Sequence, residues 1–262
     1  MLRYLRLLRL FIRTELQFAL EYRTNLALDI LQTVVVVATS VAAVLVLFHY
    51  TEAMNGWTLA QMLVLLGVFY VVQGAEELVL QPSLQRFMEH VRMGTLDFAL
   101  LKPANSQFLV SFRHYSMVQV AQVALGLALV GIGLARLGES VTLASALSFA
   151  IMLAAGLVLV YSLLLVLSTL SFWFVRVENL LAIFWSFVDA GRFPVNIYPG
   201  WLRVTLSTVV PIGVAVTVPA QAAAGTLDMA TLIAVGAGAI GAWLFASWFW
   251  RVGLRTYTGA SA

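Results

Sequence analysis

Long apolar runs separated by short polar intervals organise most of this sequence. About 20 apolar residues in a helix span the roughly 30 Å hydrocarbon core of a bilayer, so each long run is predicted to be a transmembrane helix. The run at 141–175 has 35 residues without a charge. It is predicted to be one long helix, because two crossings and a turn need about 40 residues. The six predicted crossings are 26–48, 57–80, 112–134, 141–175, a run that begins at Leu180, and 231–250.

Two further segments are apolar but lack the pattern or the length of a crossing. In residues 1–23, four arginines fall on one side of a helix and leucines point elsewhere, which is typical of a helix that lies in the membrane interface. Residues 198–225 contain an apolar core of only 15 residues, 204–218, which is broken by Pro211 and followed by Pro219. This short core favours a re-entrant outer hairpin over a crossing. The predicted fold is therefore a single all-α polytopic membrane domain over residues 1–262.

Composition and charge agree with a membrane protein and give it an orientation. The chain is 62% hydrophobic and 10% charged, with a mean hydropathy of +0.96, which excludes soluble enzymes and nucleic-acid-binding modules. In the six-helix arrangement, both termini share one side of the membrane with twelve of the 15 lysine and arginine residues. Basic residues accumulate on the cytoplasmic side of membrane proteins. Both termini and residues 81–107 are therefore predicted to be cytoplasmic.

The sequence contains no recognisable catalytic or metal-binding constellation. An ATP-binding loop needs glycines followed by a lysine and a Ser or Thr, whereas the only lysine, Lys102, precedes Pro103. ATP is therefore expected to bind a partner chain. The histidines, His49, His90 and His114, lack the spacing of a zinc-binding helix, and the chain has no cysteine. We expect no catalytic residue, metal or cofactor in this chain.

Residues 81–107 form the longest polar interval, and their pattern predicts an amphipathic helix. Pro82 is expected to start this helix and Gly94 to end it. The pattern fits both an amphipathic loop on the membrane surface and a docking surface whose apolar side chains fill a groove on a cytoplasmic partner. The apolar side of the helix carries Leu84, Phe87, Met88 and Val91, and the polar side carries Gln85, Arg86, Glu89 and Arg92.

Three stretches of the sequence resemble a known family. Residues 91–103, VRMGTLDFALLKP, are similar to the Gly-x-Leu-Asp-x-x-Leu-Leu-basic-Pro segment of type-2 ABC exporter permeases. The similarity continues with RFPVNIYPGWLR at 192–203, with Val-Pro steps at 210–211 and 218–219, and with WRVGLRTYTGAS at 250–261. The chain resembles most closely the short, six-helix branch of these permeases, described as ABC-2 family transporter proteins.

This resemblance implies an architecture and a function. The architecture has an N-terminal interfacial helix, six transmembrane helices, a cytoplasmic coupling helix after the second crossing and re-entrant outer helices before the sixth. The function is that of the permease subunit of an ATP-driven exporter in the bacterial cytoplasmic (inner) membrane. Two copies of a cytoplasmic ABC ATPase would bind ATP and Mg²⁺, and a second permease chain, related or identical, would complete the path. From the residues alone, an ion-coupled secondary transporter and a structural membrane scaffold stay open.

Candidate functional residues lie in three places. The resemblance implies ATPase coupling through Leu84, Arg86, Phe87, Met88, Glu89, Val91, Arg92, Gly94, Leu96, Asp97 and Lys102. The hairpin is expected to form an outer gate with Asp189, Arg192, Pro194, Tyr198, Pro211 and Pro219. Asp189 and Arg192, at i and i+3, are expected to pair, either as a structural link or as part of the gate. Glu76 and Glu77 are interpreted as solvated carboxylates at a helix end, with a place in the substrate path as the alternative.

Overall fold

The chain folds as a bundle of helices. The computed structural model describes residues 2–138, 142–174 and 177–257, and within these ranges it contains no β-sheet. The helices are α1 (Leu2–Glu21), α2 (Arg23–Tyr50), α3 (Leu59–Ala75), α4 (Gln81–Arg92), α5 (Asp97–Leu100), α6 (Ser106–Ser111), α7 (Gln119–Leu137), α8 (Leu143–Thr169), α9 (Glu178–Val188), α10 (Gly200–Val204), α11 (Ile212–Ala223) and α12 (Met229–Thr256). Two π-helical segments, Glu76–Leu80 and Thr205–Val209, and three 3₁₀ turns, Leu170–Phe172, Asp189–Arg192 and Val195–Ile197, complete the helical structure.

Among the described residues, five helical stretches are long and apolar enough to cross a membrane, and a bent pair of helices is a sixth candidate. The stretches are Arg23–Tyr50, Leu59–Arg92, Gln119–Leu137, Leu143–Phe172 and Met229–Thr256. The bent pair joins Gly200–Val209 to Ile212–Ala223 at 88°. The single long helix predicted at 141–175 is confirmed over the described residues. The run from Leu180 forms α9, whose 11 residues are too few for a straight crossing.

Glycines bring α3 and α7 into backbone contact at the centre of the bundle. Gly67 of α3 meets Gly126 of α7, while Gly74 of α3 lies against Val123 and Gly133 of α7 lies against Val64. The spacing of seven residues keeps the two glycines of each helix on one side of it. A Cβ added to Gly126 would lie 2.7 Å from the Gly67 carbonyl oxygen. Small residues of this kind allow membrane helices to pack at backbone distance. The seam holds α3 in the middle of the protein, where most of its span is buried.

A second packing layer consists of α8, α11 and α12. Gly156 of α8 admits the backbone of Ala215 in α11, since a Cβ at Gly156 would lie 2.9 Å from the Ala215 Cα atom. Near the other end of α8, Gly253 of α12 lies against Thr169 and Phe172. The C-terminal end of α8 therefore packs closely against α12.

One helical stretch of 34 residues, Leu59–Arg92, joins the membrane core to the polar interval. It consists of α3, the π-helical segment and α4. α4 begins at Gln81 with Pro82 in its first turn, close to the predicted start, but the segment before it is helical as well. Proline removes the N–H that would bond the carbonyl of Leu78 in an α-helix. The Ser116 N–H donates to that carbonyl instead, at 2.9 Å, and the helix continues without an unsatisfied group.

The third crossing begins at Gln119, seven residues later than the predicted start at 112. Ser83 of α4 explains the difference, because its hydroxyl donates to the His114 carbonyl at 2.9 Å and accepts from the His114 N–H at 3.0 Å. These bonds and that of Ser116 hold residues 113–116 against the helical stretch Leu59–Arg92. The segment is a non-helical strap instead of the first turns of α7.

The chain after the gap at 175–176 runs along α3 in the opposite direction. α9 begins beside α4, with which it lines a shared cavity. Gly191, in the 3₁₀ turn after α9, lies against Phe69 near the middle of α3. Farther on, the Asn196 carbonyl accepts from the Asn55 side chain at 2.9 Å, in the connector that precedes α3. α9 and its 3₁₀ extensions together therefore cover the length of α3.

Both arms of the bent pair reach the same end of the bundle. At the start of the pair, Arg203 donates to the Asn196 carbonyl at 2.7 Å, close to the connector before α3. Just after the bend, Ile212 packs against the 3₁₀ turn that follows α9. α11 then returns toward the first half of α8, where Ala222 shares a buried cluster with Met152. These contacts are those of a hairpin that enters the bundle and returns.

Candidate functional site

In the coupling segment, residues 81–107, the apolar side of α4 packs against other helices of the same chain. Leu84, Phe87 and Met88 are buried in the main core, and Val91 packs against that core. The ring of Phe87 lies 5.1 Å from that of Trp250 in α12, edge to face. The expectation that these four side chains fill a groove on a partner is therefore wrong, because helices of the same chain already cover them. The coupling role of the segment itself stays a prediction.

A different apolar surface of the coupling segment is open. Gly94, with φ of 67°, ends α4 as predicted and reverses the chain. Beyond this turn Leu96 is buried, whereas Phe98 is 73% exposed and Leu101 is 81% exposed. Together with the exposed Met93, these two side chains form what we call the coupling patch. Of the predicted polar coupling residues, Arg86, Arg92 and Lys102 are exposed and Glu89 and Asp97 are half-buried.

A small cavity beside the coupling patch has a lining of basic and apolar side chains. Arg86 from α4, Lys102 from the loop before α6, and Arg113 from the strap line this cavity. His90 and His114 also line it, and its volume is about 30 Å³. We call it the cationic cavity. The sequence separates these residues widely, and only the continuation of α3 into α4 and the bonded strap bring them together.

Glu76 and Glu77 have different environments although they are neighbours in the π-helical segment. Glu76 is fully buried, and within the described ranges neither of its carboxylate oxygens has a hydrogen-bond partner. The Glu77 carboxylate accepts from the Gln73 side chain at 3.0 Å and is close enough to Asp189 for the two charges to repel. The interpretation as a solvated helix-end carboxylate is wrong for Glu76, because the helix continues and its neighbours enclose the side chain.

The residues predicted for the outer gate lie around the bent pair. Asp189 and Arg192 form the expected ion pair, with 2.9 Å between Oδ1 and Nη2. The guanidinium of Arg192 lies 5.5 Å from the ring centroid of Phe69, so the pair stands beside the middle of α3. The Tyr198 hydroxyl donates to the Ala190 carbonyl at 2.8 Å and ties the base of α10 to the end of α9. Pro194 is buried before α10, Pro211 lies at the bend, and Pro219 is buried inside α11.

An apolar crevice of about 530 Å³ opens between the π-helical segment, α6, α8 and α12. Phe108 and Trp243 line its walls. At its polar end, the Gln107 side chain donates to the Tyr161 hydroxyl at 3.0 Å and to the Ser247 hydroxyl at 3.2 Å. Sequence patterning did not anticipate this network, because its members come from three separate helices. The only available signal was a tyrosine and a serine inside otherwise apolar runs.

The described residues contain no group of three or more His, Cys, Asp or Glu side chains that could hold a metal ion. A family model described as "ABC-2 family transporter protein" matches residues 34–261. The chain belongs to this family. The match begins within α2 and includes the coupling segment, the bent pair and α12, so the resemblance of the three sequence stretches is confirmed. No curated protein and no solved structure matches the chain.

Membership in the ABC-2 family makes the chain a multi-pass membrane protein of a transporter class. ABC-2 membrane proteins typically lack ATPase motifs, and the sequence context of Lys102 agrees with this. Arg176 and the last part of the C-terminal stretch, 258–261, lie outside the described residues.

Proposed function

We propose that this ABC-2 protein is the permease subunit of an ATP-driven exporter. Two copies of a cytoplasmic ABC ATPase bind ATP and Mg²⁺ and power it, and a second permease chain, related or identical, completes the translocation path. The protein resides in the bacterial cytoplasmic membrane with both termini in the cytoplasm. Family membership supports this proposal, together with a distribution of basic residues that favours one side of the bundle.

The observation that carries the proposal is the uninterrupted helical stretch Leu59–Arg92. Its first part is enclosed by the membrane core, and its last part leads into the exposed coupling patch. Hydrogen bonding continues through the π-helical segment, so a displacement of α4 moves the packed part of α3 with it. A partner that pulls on the coupling segment can therefore change the arrangement of the central helix.

The coupling patch is the proposed contact with the ATPase. An exposed Phe98, Leu101 and Met93 give an apolar centre, and Arg92 and Lys102 stand at its border. Protein interfaces combine an apolar centre with a polar rim in this way, and charges at the rim guide the partner into register. A groove with acidic residues at its edge is the complementary surface.

The bent pair is the proposed outer gate. Backbone at the break between its arms is irregular, and such backbone is tolerated at membrane depth only where protein covers it or a cavity adjoins it. α11 is covered by α3 and α8, whereas the exposed Val204 and Val209 lie on the other arm. The Asp189–Arg192 pair stands at the base of the hairpin, next to α3. Movement of the central helix would reach the gate through this contact.

Site-specific crosslinking tests the ATPase contact directly, because the chain has no native cysteine. Single cysteines at Phe98 and Leu101 are expected to crosslink to the co-expressed ATPase, with a yield that changes when ATP is bound. The matched control is a cysteine at Trp201, which is equally exposed but lies on the opposite end of the bundle. Absence of any ATPase adduct at 98 and 101, or an equal adduct at 201, would show that the coupling patch does not meet the ATPase.

A further inference from the structure

We propose that the cationic cavity binds the phosphate group of an anionic membrane lipid. The cavity lies between the coupling segment and α6, and its cations are supplied by Arg86, Lys102 and Arg113. The proposal does not depend on the ATPase, since it concerns only residues of this chain and the lipid around it.

The three cations lack a balancing anion. Among the described residues, His114 pairs with Glu15 and Arg192 pairs with Asp189, and Arg86, Lys102 and Arg113 have no carboxylate within ion-pair distance. Partial burial and then the nearby charge of Arg113 lower the pKa of Lys102, as expected when like charges share a site. An anion with several oxygen atoms relieves this repulsion and accepts hydrogen bonds from the guanidinium groups.

The histidines do not neutralise the site. The His114 Nδ1 atom lies 3.0 Å from the Glu15 carboxylate, so this carboxylate is already engaged with His114. Burial lowers the pKa of His114, the Glu15 carboxylate raises it, and Arg113 and Arg86 lower it further. His90 is engaged with the Thr95 hydroxyl at 2.8 Å. Three cations against one carboxylate leave the cavity with an excess of positive charge.

The position of α1 indicates that the anion comes from a lipid. Glu15 of α1 contacts His114, and the ring of Tyr4 packs on that of Phe108 at 4.8 Å, so α1 lies against the same face as the cavity. α1 leaves large apolar side chains exposed, including Leu5 and Phe18, which require contact with lipid. A helix of this kind lies at the depth of the lipid headgroups. The cavity beside it therefore opens where phosphate groups are concentrated.

The size of the cavity favours a small group over a protein segment. A volume of about 30 Å³ holds one or two water-sized groups, which suits the oxygens of a phosphate but not a helix or a loop. The exposed Lys102 and Arg86 stand at the rim and reach the remaining oxygens. This geometry resembles the basic pockets on the cytoplasmic side of membrane proteins that hold lipid headgroups.

Native mass spectrometry of the detergent-purified full chain tests the proposal. Phosphatidylglycerol, phosphatidylcholine and inorganic phosphate are titrated separately. The wild-type protein is expected to retain phosphatidylglycerol in preference to phosphatidylcholine. In the Arg86→Gln/Arg113→Gln variant, the dissociation constant for phosphatidylglycerol should rise about tenfold, because two of the three cations that line the cavity are lost.

Two variants separate this site from general electrostatic attraction and from misfolding. Arg6→Gln/Arg9→Gln removes two exposed cations from α1 near the same end of the bundle and should leave lipid retention nearly unchanged. Arg86→Lys/Arg113→Lys keeps the charge and should restore most of the retention. Equal losses in the cavity and α1 variants, or saturation by inorganic phosphate with no preference for the lipid, would overturn the lipid assignment. Unchanged retention of phosphatidylglycerol in the Arg86→Gln/Arg113→Gln variant would overturn it as well.

Discussion

At the scale of single residues, the most unusual feature is a carboxyl group with no partner inside the bundle. Glu76 is fully buried, and its two oxygens have no hydrogen-bond partner among the described residues. Burying an ionised carboxylate without a partner is very unfavourable, and a neutral polar group is less so. A residue of this kind is retained at a membrane-spanning position either because the assembled complex supplies a partner or because another conformation exposes it.

The substitution Glu76→Gln tests whether the Glu76 carboxylate has a partner in the folded protein. It removes the charge and keeps the shape, so we expect the thermal stability of the isolated permease to be unchanged or raised, by about 1 kcal/mol or more of unfolding free energy. Glu77→Gln is the matched control and should give no such gain, because Glu77 already accepts from Gln73. The measurement is a thermal-unfolding series in one detergent. A clear loss of stability in Glu76→Gln would mean that the carboxylate has a partner in the folded protein.

At the scale of helices, the sequence predicted which segments are apolar better than it predicted what they touch. Leu143–Phe172, within the run at 141–175, forms one helical stretch, and the turn at Gly94 formed as its residue type indicated. The amphipathic pattern of α4 was also real. Periodicity alone does not say whether an apolar side faces a partner or the chain's own core, and here Phe87 packs against Trp250 from the far end of the sequence.

Two other differences arise from contacts that no local pattern encodes. The helix passes through Pro82 because Ser116, more than 30 residues later, donates to the carbonyl that proline leaves free. The burial of Glu76 likewise depends on the helices that surround the π-helical segment. A proline such as Pro82 and two adjacent carboxylates such as Glu76 and Glu77 are local signals that a helix ends nearby. Here tertiary contacts keep the helix continuous and bury Glu76.

The glycine seam between α3 and α7 gives a sharp test of helix packing. In Gly126→Ala the new Cβ would lie 2.7 Å from the Gly67 carbonyl oxygen and 2.8 Å from the Val71 N atom, so the helices must separate. We expect a loss of about 1–3 kcal/mol in unfolding free energy. Gly131→Ala, on the same helix with nothing within 4 Å of the new Cβ, should be neutral or stabilise by about 0.5–1 kcal/mol. Equal effects of the two substitutions on thermal stability would contradict the seam.

The ion pair at the base of the bent pair can be examined by a double-mutant cycle. Arg192→Gln should reduce transport by the reconstituted complex more than Asp189→Asn, because it leaves Asp189 facing Glu77 without a cation. The double variant should recover part of the loss, with a coupling of about 0.5–3 kcal/mol, as expected for residues in contact. Strictly additive losses would indicate that the pair has no energetic role, and an Asp189→Asn defect equal to that of Arg192→Gln would argue against the repulsion from Glu77.

At the scale of the whole molecule, the two ends of the helix bundle carry different sites. One end holds the coupling patch, the cationic cavity and the interfacial helix α1. The other end holds the connector before α3 and both ends of the bent pair. The long helix Leu59–Arg92 runs between them. Transport by alternating movements requires such a link, because ATP is expected to act at one end while the outer gate opens at the other.

The orientation of this bundle in the membrane depends on two features that helix length alone does not decide. One is whether α9 with its 3₁₀ extensions crosses the membrane, and the other is whether the bent pair returns to the side on which it starts. Single cysteines can report on both features, because the chain has no native cysteine. The exposed positions chosen for them are Ala53, Leu101, Trp201 and Thr226. In intact cells, an impermeant thiol reagent should label Ala53, Trp201 and Thr226, and Leu101 should react only after permeabilisation. Labelling of Trp201 only from inside would show that α9 does not cross. Labelling of Thr226 only from inside, with Trp201 outside, would make the bent pair a crossing, and the hairpin contacts with Asn196 and Met152 would then need another explanation.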